Sequence, residues 1–113
     1  MDFNKYQVAA AKYDTFEAKP EVSDPSFVAK IFGLSGETGE VCEKFKKILR
    51  DKQGKLSSED KSEIVKELGD VLWYLAAISR YMGVEFEKVA ETNLDKLQSR
   101  FERDKIHGAG DNR

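Results

Sequence analysis

The chain has 113 residues, of which 40% are hydrophobic and 35% charged, and its formal net charge is −2. This length suits one domain with a single core. The near-neutral charge does not favour a nucleic-acid-binding protein, and the longest apolar run, residues 71–78, is too short to span a membrane. Because the N-terminus has no signal-peptide pattern, we expect a cytoplasmic protein.

The first predicted helix covers residues 3–18, with Asp2 as its N-cap. Apolar residues recur along it at helical spacing, namely Phe3, Tyr6, Ala10, Tyr13 and Phe16. The pattern indicates core packing, with the alternative that Tyr6 or Tyr13 lines a pocket for a nucleobase. Prolines interrupt the pattern in residues 19–26, which are predicted to form a loop.

The second predicted helix covers residues 27–52, after a cap chosen among Ser23, Asp24 and Ser26. Its glycines are Gly33, Gly36 and Gly39. An interior glycine costs about 0.5–1 kcal/mol relative to alanine, so these residues favour a break or kink, unless they serve close approach of another helix. The single cysteine, Cys42, is predicted to be a small core residue.

The third predicted helix covers residues 58–82, and Ser57 with Asp60 resembles a capping box at its start. Its middle is apolar nearly all round. The residues outside the main stripe there are Leu72, Trp73, Ala76 and Ala77. In a chain of this length, these residues indicate a partner subunit that covers them.

The fourth predicted helix covers residues 85–103. We expect one domain over residues 1–106 and a flexible Gly-rich tail over residues 107–113. The single histidine, His107, lies in this tail, so we do not expect it to act as a ligand or a base.

One pattern, a pair of carboxylates three residues apart, occurs twice at an offset of 30 residues, first as Glu37 and Glu40 and then as Glu67 and Asp70. Residues three apart are neighbours on a helix, so each pair lies on one turn. At about 100° per residue, both pairs flank an apolar stripe. The stripes are Leu34, Thr38, Val41, Phe45 and Ile48, and Ile64, Leu68, Val71, Leu75 and Ile78. If the helices pack stripe to stripe, four carboxylates converge beside the core.

Four converging anions repel one another, so either they bind divalent cations or the two pairs face apart. Oxygen ligands alone favour Mg²⁺ or Mn²⁺. The alternative is a set of ordinary solvated charges on Glu-rich helices. Lys44 lies on the carboxylate side of its helix and can pair with Glu40 or meet a phosphate. Tyr74 lies one turn after Asp70 on the same side, where it can flank a nucleoside.

The fourth helix carries Asn93, Lys96 and Arg100 on one face. One amide and two cations suit phosphate oxygens. The alternative is a solvated basic stripe.

Three blocks in order resemble the MazG-like, all-α nucleoside triphosphate pyrophosphohydrolases. They are GETGEV at residues 36–41, ELGDVLWY at residues 67–74 and NLDKLQSR at residues 93–100. The resemblance covers residues 6–101 and implies a fold like a four-helix bundle. It also implies a homo-oligomer, either a homodimer or a homotetramer.

The resemblance further implies an enzyme that hydrolyses a nucleoside triphosphate, with ribose or deoxyribose, between its α and β phosphates. Mg²⁺ would be required, with Mn²⁺ as a possible substitute. By motif position, Glu37, Glu40, Glu67 and Asp70 would be the metal ligands, and Glu37 would also orient the attacking water. The substrate contacts would be Lys44, Tyr74, Asn93, Lys96 and Arg100.

Two alternatives come from other classes of protein. A non-catalytic module could bind nucleotide and metal through the same residues without turnover. A di-iron carboxylate bundle would need a Glu-x-x-His motif, which neither carboxylate pair contains.

Overall fold

The computed structural model describes residues 1–104 and 106–113, which contain four α-helices and no β-strand. The helices are α1 (Phe3–Ala11), α2 (Pro25–Lys52), α3 (Ser58–Tyr81) and α4 (Phe86–Glu102). The predicted all-α fold is thus confirmed. None of the helices found in this part of the chain combines the length and the apolar character that a membrane span requires.

The first helix ends at Ala11, well before the predicted residue 18. The physical reason is Asp14, whose carboxylate turns inward and accepts the backbone N–H of Phe16 at 3.0 Å and the hydroxyl of Tyr81 at 2.6 Å. Such a turn competes with helical hydrogen bonding. Tyr13 lies outside the helix and is 78% exposed, so its predicted place in an apolar helical stripe is wrong.

The second helix is continuous through its glycines, so the predicted break is absent. It begins after Asp24, one of the three predicted caps, whose carboxylate accepts the Ser26 N–H at 3.0 Å. Gly33 faces α3, whereas Gly36 and Gly39 face open space. Gly33 thus permits close approach of α3, and the low helix propensity of the three glycines does not interrupt α2.

The second and third helices form an antiparallel hairpin. The rings of Phe27 and Tyr81 meet at one end with their centroids 5.4 Å apart, and Lys52 meets Asp60 at the other end at 2.7 Å. The predicted capping box is present, because Asp60 N–H donates to Ser57 Oγ at 3.1 Å and Ser57 N–H donates to the Asp60 carboxylate at 3.0 Å. Local signals thus place the start of α3 correctly.

The first helix covers the apolar side of α3 that the sequence assigns to a partner subunit. Ala76 and Ala77 are buried, and the indole N–H of Trp73 donates to the Ala10 carbonyl at 3.2 Å. The Gln7 amide donates to the Ala76 carbonyl at 3.2 Å. Cover for these residues comes from the same chain, so the reason given for a partner subunit is wrong.

The segment after α1 is tied to α2 and α3 by a buried ionic cluster. The ammonium of Lys30 lies 3.0 Å from one oxygen of Asp14, and the guanidinium of Arg80 lies 2.8 Å from the other. The Lys30 side chain is 5% exposed and the Asp14 side chain 2%. The ammonium also lies 4.8–5.6 Å from the ring centroids of Phe16, Trp73 and Tyr81.

Burial by itself would raise the pKa of Asp14. Hydrogen bonds from Tyr81, the Phe16 N–H, Lys30 and Arg80 outweigh burial and lower this pKa to about 2. No motif in the sequence indicates this cluster, because its members come from three separate parts of the chain.

The apolar stripes of α2 and α3 pack against each other only in part, since Ile48 and Ile64 are buried whereas other members of the stripes are not. Phe45, Leu68 and Leu75 are 45%, 50% and 40% exposed. The contact between the helices also runs along the neighbouring edge, through Gly33 and Glu37 on α2. Cys42 is also exposed, so its predicted core position is wrong. Among the helices described, α2 packs against α3 alone, and the segment after α1 covers Lys30 near the start of α2.

Candidate active site

The middle of the contact between α2 and α3 is acidic. Glu37 on α2 and Glu67 and Asp70 on α3 each offer a carboxylate oxygen, and these three oxygens lie within 4.8 Å of one another. We call this set the carboxylate group. It arises because antiparallel packing places the two copies of the repeat opposite each other.

The fourth predicted ligand, Glu40, is exposed and lies outside the carboxylate group. It lies one turn after Glu37, near enough for its charge to act on that side chain. The structure therefore brings three of the four predicted ligands together, and the ligand role of all four stays a prediction.

The pKa of Glu37 is raised, first by partial burial and then by the charges of Asp70, Glu67 and Glu40. A raised carboxyl pKa means that the ionised form is disfavoured. The carboxylates repel one another, and a bound cation would relieve that repulsion.

Among the ion pairs of the described residues, one joins a cation to the carboxylate group, and that cation is Lys44. Its ammonium lies 3.7 Å from Glu67 Oε1. Lys44 thus pairs across the hairpin with Glu67, and the predicted pair with Glu40 on the same helix does not form in this part of the chain. One ammonium beside three carboxylates leaves a net negative site. The contact of Lys44 with substrate stays a prediction.

Tyr74 lies one turn beyond Asp70 along α3, with its ring against the backbone of Gly33. The ring meets that of Trp73 edge to face, with centroids 5.0 Å apart and planes at 87°. Tyr74 is half-buried, so part of its surface remains open beside the carboxylate group.

The first helix contributes Tyr6, one of the two candidates for a base pocket. Burial and then the charge of Asp70 raise the pKa of its hydroxyl. Tyr6 therefore lies within electrostatic reach of the carboxylate group, and its ring also packs against Phe86 with centroids 6.3 Å apart. Tyr13, the other candidate, is exposed outside α1.

The cations of α4 face the C-terminal segment. Lys96 Nζ lies 3.1 Å and Arg100 Nη2 3.4 Å from Asp111 Oδ1, and these cations lower the pKa of Asp111. Arg100 is 5% exposed, and its guanidinium also donates to the Gly110 carbonyl at 3.3 Å. Asn93 is exposed. Because α4 does not contact α2 in the described residues, the role of this row toward substrate stays a prediction.

The region that matches a known protein family includes both carboxylate pairs. The family model of the MazG nucleotide pyrophosphohydrolase domain matches residues 28–103, from the start of α2 to the end of α4. The chain belongs to the MazG nucleotide pyrophosphohydrolase family. The match ends before the segment that contacts Lys96 and Arg100.

A relative of this MazG chain is known from a phage. The Gene 37 protein of Mycobacterium phage L5 is 40% identical over 114 aligned residues, which cover 100% of both proteins. Its name does not state a reaction. No solved structure gives a significant match.

The carboxylate group of this MazG chain fits a hard divalent cation. Its donors are oxygens alone, and Mg²⁺ and Mn²⁺ prefer such ligands over the nitrogen and sulfur ligands typical of zinc sites. The donors come from two adjacent helices whose packing fixes their backbone. Three protein ligands are fewer than the six that Mg²⁺ takes, as is usual for protein sites of this ion.

Proposed function

We propose that this MazG chain is an enzyme, a Mg²⁺-dependent nucleoside triphosphate pyrophosphohydrolase. It would hydrolyse a nucleoside triphosphate, with ribose or deoxyribose, between the α and β phosphates to give a nucleoside monophosphate and pyrophosphate. The observation that carries the proposal is the group formed by Glu37, Glu67 and Asp70 in a chain of this family. A triphosphate is itself an anion, so three carboxylates can hold it only through cations.

In this proposal Glu37, Glu67 and Asp70 hold the cation, and Glu40 completes the set from the exposed side of α2. When bound there, Mg²⁺ supplies Lewis-acid chemistry, neutralises phosphate charge and activates water. Mn²⁺ has the same ligand preferences and could replace it. Glu37 is proposed to orient the attacking water and accept its proton, a role that its raised pKa favours.

The substrate contacts in this proposal come from two sides of the site. Tyr74 would flank the nucleoside beside the carboxylate group, and Lys44, whose ammonium lies 3.7 Å from Glu67, would bind a phosphate oxygen. Asn93, Lys96 and Arg100 bind phosphate oxygens. The support for that last assignment is chemical, because both cations already hold an anionic carboxylate, that of Asp111.

We also propose that the protein is a homodimer or homotetramer and that it acts in the cytoplasm without a nucleic-acid or membrane partner. Phe45, Leu68 and Leu75 are exposed apolar side chains of α2 and α3, and we propose that they form one interface surface. The radius of gyration is 16.9 Å, whereas a compact single domain of this length has about 13 Å. A second copy seated on this surface would cover what the chain itself leaves exposed.

The test is pyrophosphate release from a panel of ribonucleoside and deoxyribonucleoside triphosphates with Mg²⁺. The proposal predicts release that stops in excess EDTA and in Glu67→Gln. The matched control is Glu63→Gln on the same helix, because Glu63 is exposed and pairs with Lys66 at 2.9 Å, so this variant should remain active. Nucleotide binding with no release from any substrate would favour the non-catalytic module instead.

A further inference from the structure

We propose that Gly33 determines specificity in the nucleotide site, because its missing side chain lets the ring of Tyr74 lie across α2 beside the carboxylate group. This inference rests on the proposed function, in which Tyr74 flanks the nucleoside. Gly33 would be a positioning residue that acts through Tyr74 and does not itself touch the reacting atoms.

The space at Gly33 is already filled by the Tyr74 ring. A Cβ atom built on Gly33 would lie within 3.0 Å of three carbon atoms of that ring, a distance that real Cβ contacts do not show. Gly36 and Gly39 have no neighbouring atom within 4 Å of an added Cβ. Of these three glycines on α2, Gly33 is therefore the one that a tertiary contact requires.

The ring of Tyr74 also contacts an aromatic neighbour on its own helix. Trp73 meets it edge to face at 5.0 Å between centroids. Trp73 is in turn fixed by its hydrogen bond to the Ala10 carbonyl at 3.2 Å and by the ammonium of Lys30, 5.6 Å from its ring centroid. A side chain at position 33 would thus push the Tyr74 ring outward from α2.

The direction of that displacement matters because of where the ring lies. Gly33 precedes Glu37 by one turn of α2, and Tyr74 follows Asp70 by one turn of α3. The antiparallel hairpin therefore places the ring next to the carboxylate group. If phosphates are held at that group, the position of the ring sets the room left for the base. An outward shift should reduce this room and disfavour purines more than pyrimidines.

The experiment compares Gly33→Ala with Gly39→Ala, the same substitution on the same helix but in open space. Trp73 is the single tryptophan and lies against Tyr74, so its fluorescence emission reports displacement of the ring. We expect Gly33→Ala to shift this emission and lower Tm. Gly39→Ala should leave the emission unchanged and keep or raise Tm, since alanine is the better helix former.

The kinetic part measures the ratio of kcat/KM for purine over pyrimidine triphosphates. We expect this ratio to fall about tenfold in Gly33→Ala, the size of discrimination that one methylene group produces, and mainly through KM, because the ring contacts the base and not the reacting atoms. It should not change in Gly39→Ala. In a Tyr74→Ala background the added methyl group no longer meets a ring, so Gly33→Ala should there lower neither Tm nor the ratio.

Three results would overturn the inference: unchanged emission and Tm in Gly33→Ala, an unchanged base preference despite a displaced ring, or an equal change in Gly39→Ala. If the parent protein hydrolyses no nucleotide, the proposed function fails by itself. The ratio is then measured from the Kd of intact nucleotides with Mg²⁺, with the same expected change. Absence of nucleotide binding would overturn both proposals.

Discussion

At the scale of single residues, the carboxylates of Glu37, Glu67 and Asp70 repel one another. Because neighbouring charges help to raise the pKa of Glu37, Glu37→Gln should increase the free energy of unfolding in metal-free buffer, by about 0.2–0.5 kcal/mol for each relieved pair. With Mg²⁺, pyrophosphate release should fall more than about 100-fold, since changing a residue behind a metal ligand already costs roughly 10–100-fold. Chemical denaturation and a pyrophosphate assay measure the two effects. A less stable variant that keeps full activity would contradict the assignment of Glu37.

The buried carboxylate of Asp14 predicts how stability responds to acid. Its pKa of about 2 lies below the ordinary value of 3.8, so folding favours the ionised form. The resulting stability is fully present above the ordinary pKa and is lost as the pH falls toward the folded value. Asp14→Asn should cost about 3–5 kcal/mol at neutral pH, because it leaves Lys30 buried without its ionised partner.

Chemical denaturation between neutral pH and the acid limb checks this prediction. Asp14→Asn should flatten the acid dependence of the free energy of unfolding. Asp60, whose pKa is also about 2, contributes its own acid dependence equally in both proteins, so the difference between them isolates Asp14. Identical pH profiles in the two proteins would contradict the buried ion pair.

Lys96 and Arg100 on α4 can act in substrate binding or in folding, and substitutions distinguish the two roles. Arg100 is buried, so Arg100→Ala should lower Tm whatever its part in binding, and Lys96→Ala is the cleaner substitution because Lys96 is only half-buried. If Lys96 binds phosphate, Lys96→Ala should keep its Tm within a few degrees and lose about 10–100-fold in kcat/KM, the effect of one charge-assisted hydrogen bond. Lys88→Ala, an exposed position on the same helix, is the control. Normal turnover by Lys96→Ala would leave the row without a role in the site.

Helix starts were predictable because their signals are local. Asp24 and Ser57 cap α2 and α3 within a few residues of the expected positions, since a cap depends on the chain immediately around it. The end of α1 was not predictable in this way. It depends on Asp14 meeting Lys30, Arg80 and Tyr81, which come from distant parts of the sequence.

The packing of α2 on α3 was also predictable only where it depends on residues that are close in the sequence. The 30-residue repeat and helical spacing correctly indicated that carboxylates from both helices meet. They did not indicate which edge of each stripe forms the contact, since that depends on where α1 covers α3. The contacts of Gly33 with Tyr74 and of Lys44 with Glu67 depend on which edges meet, so they could not be predicted from spacing.

At the scale of the whole molecule, exposed apolar side chains lead to a prediction about the oligomeric state. Phe45 and Leu75 occupy equivalent positions of the repeat and are both exposed. The double variant with Phe45→Ser and Leu75→Ser should dissociate the proposed homo-oligomer into folded monomers with the helical circular dichroism of the parent, because neither side chain is in the core of the chain. Its Tm should fall and lose its dependence on protein concentration, because association no longer stabilises the fold. Light scattering at micromolar concentration measures the mass. A monomeric parent protein would contradict the proposed assembly, and an unchanged oligomer in the double variant would place the interface on another surface.

The most direct test of the proposed function is a phosphorus NMR spectrum of the reaction with a nucleoside triphosphate in Mg²⁺ buffer. Hydrolysis between the α and β phosphates predicts equal amounts of nucleoside monophosphate and pyrophosphate, with no signal from inorganic phosphate or a nucleoside diphosphate. The same spectrum in EDTA should show unchanged substrate. A nucleoside diphosphate with inorganic phosphate, or intact triphosphate for every base in Mg²⁺, would contradict the account.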